Sequence, residues 1–163
     1  MAKIILCRGI QGSGKTTWAK QWVLEDPEHR VRFNNDDIRN MLGKYWVPSR
    51  EPLVHAMKKQ FVITSMCMRY DIVIDNMNLN PKEVEYYKEQ IETHNRIIEE
   101  LNEKTKLSFS DDKYELEFKD FLIPLQECIE RDSKRLNPIG EEVIRKTYEK
   151  YKDILEVHDE NIS

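Results

Sequence analysis

Apolar positions recur along this chain with two different periods, and the two alternate. Lys3 to Cys7 (KIILC) is a short apolar run that leads into a glycine loop, the pattern of a buried strand. The next stretch, TTWAKQWVLEDP, places Trp18, Trp22 and Val23 at helical spacing, and Pro27 ends that helix. A short strand is expected near Val31 to Phe33. The polar cluster Asn34, Asn35, Asp36, Asp37 then caps a helix that begins near Ile38. Gly43 to Pro52 reads as a loop and Leu53 to Met68 as a helix, with Val54, Met57, Phe61, Val62 and Met66 on one face.

A second buried strand, Ile72 to Ile74, follows. Pro81 opens a helix through Tyr86, Tyr87 and Ile91 towards Leu101, since proline is tolerated in a first turn. Asn102 to Lys113 is polar and reads as a loop or insertion. YELEFKDFLI alternates apolar and polar, which predicts a strand. Pro124 to Arg135 is helical, Asn137 to Gly140 breaks the pattern, and Glu141 to Leu155 is a final helix, with a frayed tail after Glu156. Strands alternating with helices predict an α/β fold: a parallel sheet of about four or five strands with helices on both faces. No linker or repeat interrupts it, so residues 1–163 read as one domain, with 124–140 as a helical lid.

Composition narrows this picture. A 163-residue chain with 39% hydrophobic and 34% charged residues can bury one core. No run of about 18 apolar residues is present, so no membrane helix is expected, and the first residues lack the pattern of a secretory signal. The expected location is cytoplasmic. Cys7, Cys67 and Cys128 are odd in number and far apart, which predicts buried free thiols and no zinc site or disulfide framework. The four histidines show no ligand spacing. The formal net charge of −4 excludes a global positive field for coating duplex DNA, so any nucleic acid must meet a local basic patch.

The strongest chemical signal is Gly9-Ile10-Gln11-Gly12-Ser13-Gly14-Lys15-Thr16, which fills every fixed position of GxxxxGK[ST] between an expected strand and an expected helix. In such a P-loop the backbone N–H groups around Gly12, Ser13 and Gly14, together with Thr17 in the first helical turn, face nucleotide phosphates. The lysine places its charge between the β- and γ-phosphates, and the threonine hydroxyl ligates Mg²⁺. ATP and magnesium are therefore the expected cofactors. Asp36 and Asp37, with Arg39, lie just past a strand, at the active edge of an open sheet. A carboxylate there can take the proton of a hydroxyl acceptor, or simply cap the helix. Asp75, after the strand DIVI, suits the magnesium shell or ordinary loop capping. Arg131 and Arg135 are four apart on one helical face; they form either a solvated charge face or the arginines of a lid that stabilises phosphoryl transfer. Trp46, Arg50, His55, Lys58 and Lys59 would make an acceptor groove or a solvated surface helix.

Four segments in order, KIIL with the glycine loop GSGKTTWA, then N.DD.R, NLNP, and R.SKR followed by a proline and a helix, resemble the 5′-polynucleotide kinases of the T-even phage type over roughly Ile4 to Tyr151. The resemblance implies a P-loop kinase fold. It implies that Lys15 and Thr16 hold ATP phosphates and magnesium, and that Asp36 is the general base for the 5′-hydroxyl. It further implies that Arg39 contacts the acceptor's 3′-phosphate, and that Arg135, supported by Arg131, reaches the donor phosphates. The implied acceptor is the 5′-OH end of DNA or RNA. Two departures stand out: the phage enzymes carry a C-terminal phosphatase domain, so this chain would be a kinase only, and their acidic-Thr-Asn pattern becomes Asp75-Asn76-Met77-Asn78, with the acid one place earlier.

Other readings compete. The same loop and lid serve kinases of a nucleoside, sugar or metabolite, or of a hydroxylated base in phage DNA. An ATP-binding regulatory module without transfer is a further class, for which Asp36 has no necessary role.

Overall fold

A computed structural model describes residues 1–156. Four strands form one fully parallel sheet: β1 (Ala2–Arg8), β2 (Arg30–Phe33), β3 (Asp71–Ile74) and β4 (Tyr114–Asp120), in the order β2-β3-β1-β4. Parallel neighbours need crossovers, and the helices supply them. These are α1 (Lys15–Glu25), α2 (Asn35–Met41), α3 (Glu51–Cys67) and α4 (Pro81–Thr105), followed after β4 by α5 (Leu125–Ser133), α6 (Glu141–Lys150) and α7 (Lys152–Glu156).

β1 is central and buried on both faces, which is why its sequence is a continuous apolar run. Alternate residues separate into two layers. Ile4 and Leu6, with Ile72 and Ile74, pack with Phe33, Val62, Met66, Tyr87, Ile91 and Tyr114. Ile5, Cys7 and Val73 meet Ala19 of α1, with Trp18, Trp22 and Phe121 around them. Each aliphatic side chain fully buried in this way contributes roughly 1.5–3 kcal/mol relative to exposure. A third cluster, Ile10, Leu79, Cys128, Ile129, Ile144 and Leu155, seats α5 to α7 against the loops beyond the strands.

Several expected boundaries shift. α2 begins at Asn35, not near Ile38: Asn34 is the N-cap, its side chain accepting from the Asp37 N–H at 3.0 Å, so Asp36 and Asp37 lie inside the first turn. The expected loop 43–52 contains a 3₁₀ turn, Pro48–Arg50, and Pro52 already belongs to the first turn of α3. α4 runs to Thr105, so only the end of Asn102 to Lys113 is loop, and that part holds a 3₁₀ turn, Ser110–Asp112. The last helix breaks at Tyr151, and the break lets Leu155 turn into the third cluster. Cys7 and Cys128 are buried free thiols as expected, but Cys67 is exposed, because the end of α3 turns that position away from the sheet. The expected frayed tail lies outside the described residues. No described helix is long and apolar enough to cross a membrane.

Candidate active site

The chain leaves β1 towards α1 and leaves β3 towards α4, and the connections diverge beyond the carboxyl ends of these neighbouring strands. That divergence opens a crevice, the usual ligand position in an open α/β sheet. A cavity of about 790 Å³ occupies it. Gly12, Ser13, Gly14, Lys15, Thr16, Thr17, Asp36, Arg39, Asp75, Arg131 and Arg135, all singled out in the sequence, line this one cavity.

Its floor is the phosphate loop. Gly12 (φ 78°) and Gly14 (φ 96°) hold left-handed backbone that other residues rarely adopt. A Cβ on Gly12 would also lie 2.5 Å from the Cys128 carbonyl oxygen, so loop and α5 touch backbone to backbone. Lys15 is buried, its Nζ donating to the carbonyls of Gly9 (2.9 Å) and Ile10 (2.7 Å). Burial away from water pulls the Lys15 ammonium down to about 8, against the pull of Asp75.

Asp75 follows directly on β3, 1% exposed. Arg32 of β2 reaches it with Nε at 2.8 Å and Nη2 at 2.7 Å, and also binds Asp37 at 2.5 Å. Burial raises the Asp75 carboxyl above the ordinary range, opposed chiefly by Arg32, with the Thr16 hydroxyl and Lys15 also pulling it down. Its Oδ1 is buried without a hydrogen-bond partner. Asn34 donates to the Asp75 carbonyl, and the Asn35 N–H donates to Asn76 Oδ1 at 2.9 Å, so the start of α2 is fastened to the end of β3.

Asp36 lies partly exposed on the first turn of α2. Its Oδ1 accepts from Arg39 Nη1 at 2.7 Å and from the Tyr45 hydroxyl at 3.1 Å. Arg39 is gripped from its other side by Glu51, at 2.9 Å and 2.8 Å, with Trp46 5.5 Å away beneath the guanidinium. These carboxylates hold the guanidinium firmly protonated, Glu51 contributing most. On the opposite wall, Arg131 of α5 pairs with Glu127, and Arg135, one residue past the helix cap, with Asp132 at 3.5 Å. Asp132, 1% exposed, accepts from the N–H groups of Ile139 and Gly140 and so fixes the turn between α5 and α6.

The expected acceptor groove does not form from the residues named for it. Trp46 lies outside the cavity, its ring 5.5 Å from the Arg39 guanidinium. Lys58 is 4% exposed, 3.5 Å from Glu83 and 5.9 Å from the Tyr87 ring, because its helix face packs on α4. Arg50 donates to the Leu42 carbonyl at 2.6 Å, and Arg50, His55 and Lys59 lie outside the cavity. Sequence reading also missed Arg32, Tyr45 and Glu51.

The donor set fits a magnesium nucleotide. Among the described residues no group of three or more His, Cys, Asp or Glu would cage a metal. A magnesium ion needs no such cage, since phosphates and water fill most of its shell. The Thr16 hydroxyl and the orphaned Asp75 Oδ1 would offer the protein's share.

Comparison with solved structures shows the same fold. A chain from the "Structure of the Pnkp1/Rnl/Hen1 RNA repair complex" matches with a TM-score of 0.65 at 23% identity, over 98% of this chain and 46% of that one. A chain from the "Structure of Pnkp1/Rnl/Hen1 complex" matches with a TM-score of 0.57 at 23% identity, over 80% of this chain and 38% of that one. This protein thus spans less than half the length of either. A family model described as AAA domain matches residues 4–158, nearly the whole sequence, and with the P-loop, the parallel sheet and the flanking helices in place, the chain belongs to the AAA domain family.

Proposed function

We propose that this protein is an ATP-dependent kinase that transfers the γ-phosphate to the 5′-hydroxyl end of a nucleic acid. The observation that carries the reading is that Asp36 shares one cavity with the phosphate loop and with Arg131 and Arg135. A regulatory module needs no carboxylate facing the phosphate loop, whereas transfer to a hydroxyl needs a proton acceptor within reach. The T-even phage resemblance in sequence and the fold shared with chains of an RNA repair complex support a polynucleotide as acceptor.

Magnesium, when bound, draws charge from the phosphate oxygens. The loop N–H groups and Lys15 hold the donor phosphates. Asp36 takes the proton of the attacking hydroxyl, and Arg39 keeps that carboxylate oriented. Arg131 and Arg135 reach the equatorial oxygens as charge develops. Because both edges of Arg39 are engaged by Asp36 and Glu51, its first task is to orient the base. A contact with the acceptor's 3′-phosphate falls to its remaining N–H groups.

The test is label transfer from γ-labelled ATP to a short 5′-OH RNA, to the matching DNA, and to a panel of nucleosides and sugars. RNA or DNA becomes labelled, and Asp36→Asn lowers kcat by about a hundredfold or more while leaving ATP affinity unchanged. Label on a nucleoside or sugar alone would establish a small-molecule kinase instead, and label on nothing would leave a binding module.

A further inference from the structure

Tyr45 lies between α2 and the 3₁₀ turn before α3, 47% exposed, and lines the cavity that also holds Asp36 and Arg39. Its hydroxyl donates to Asp36 Oδ1, the oxygen that Arg39 already holds. Among the described residues none donates to Oδ2. Two donors converging on one oxygen fix the carboxylate plane and reserve the other oxygen for a proton. Burial and the nearby Asp36 charge push the tyrosine's own ionisation up, so it remains a donor at neutral pH.

The ring does more than deliver a hydroxyl. A tyrosine this exposed gains little from packing, yet its hydroxyl is tied to Asp36 in the cavity that an acceptor must enter. Every nucleobase presents a π-face, and stacking on an aromatic side chain is worth about 1–3 kcal/mol per base without reading sequence. Sugars and polyols have no such face.

We propose that Tyr45 positions the acceptor: its ring is the stacking platform for the base that carries the reacting 5′-hydroxyl, while its hydroxyl holds Asp36. The proposal rests on the polynucleotide reading of the site. It makes Tyr45 the residue that selects a base-bearing acceptor over a sugar or polyol, without preference among bases.

Two 5′-OH RNA acceptors test it, identical except that one has an abasic first residue. Wild-type protein shows a KM about tenfold lower for the base-bearing acceptor. Tyr45→Ala erases that ratio by raising the KM of the base-bearing acceptor alone. Tyr45→Phe keeps the ratio and lowers kcat about three- to tenfold, through the lost hydrogen bond. ATP affinity by calorimetry stays within about twofold in both variants, which shows the fold intact. Phosphorylation of both acceptors with equal KM by the wild type, or a ratio that survives Tyr45→Ala, overturns the proposal and leaves the kinase reading standing. A wild type that phosphorylates neither RNA, nor the same pair made as DNA, removes the polynucleotide reading, and the proposal with it.

Discussion

Arg32 holds Asp75 across two strands: its Nη2 lies 2.7 Å from Asp75 Oδ2, one side chain 13% exposed and the other 1%. The same guanidinium binds Asp37, so one residue ties the end of β3 to the first turn of the helix that carries Asp36. An arginine that spans two carboxylates makes their relative placement rigid.

Removing Arg32 leaves a buried, uncompensated carboxylate. Arg32→Ala is expected to cost about 3–5 kcal/mol at neutral pH. The sign with pH follows from Asp75, whose folded carboxyl is already raised. Without Arg32 it rises further, and a raised folded value means stability is lost as pH climbs above the ordinary carboxylate range. Urea unfolding of the variant will therefore show a larger deficit at pH 7.5 than at pH 5. An equal deficit at both would mean that Asp75 remains compensated by other groups.

Lys15 titrates near 8 because burial strips its water. Phosphate beside it restores the charged form, so nucleotide binding takes up a proton above pH 8 and affinity falls as pH rises past that point. Calorimetry at pH 8.5 in two buffers of different ionisation enthalpy reads the uptake directly. In the nucleotide-free protein the depressed value means that stability increases with pH between about 8 and the ordinary lysine value, and charged Lys15 is a burden below it. Lys15→Met will raise the unfolding midpoint at pH 7 while weakening nucleotide binding on the order of a hundredfold. A lowered midpoint would show that the hydrogen bonds to Gly9 and Ile10 outweigh the burial cost.

Gly12 and Gly43 both hold left-handed backbone, but only Gly12 is crowded. Alanine at either carries backbone strain of about 1–3 kcal/mol. At Gly12 the added carbon must also push the Cys128 carbonyl away, and with it the helix bearing Arg131. Gly12→Ala is therefore expected to lower the thermal midpoint more than Gly43→Ala, and it alone will weaken ATP binding. Equal effects from the two would show that α5 yields without consequence.

The features carried by local pattern were legible in the sequence. The phosphate loop, the parallel sheet and the placing of Asp36 and Asp75 at strand ends follow from runs of neighbouring residues, the role of Arg135 followed only from the family resemblance, and the structure gathers them about one cavity. What was hidden depends on strand order. Arg32 sits in a short strand whose polar residue invites no comment, and its partner is 43 residues away. Only the pairing of β2 with β3 brings them together. Tyr45 and Glu51 follow Asp36 through a turn without periodicity, so no spacing marks them. Lys58 misled because its face of α3 is set by α4, a contact that no local pattern encodes.

The register of β1 carries a consequence for how the molecule is made. This first strand lies between β3, where Ile4 meets Ile72, and β4, where Ala2 meets Tyr114. During synthesis it must wait for both partners to leave the ribosome, and pairings so distant in sequence form slowly. Until the β4 segment emerges, the apolar run KIILC has one flank without a neighbour. Premature association of nascent chains through that run, rather than any weakness of the finished fold, is the natural hazard of this topology.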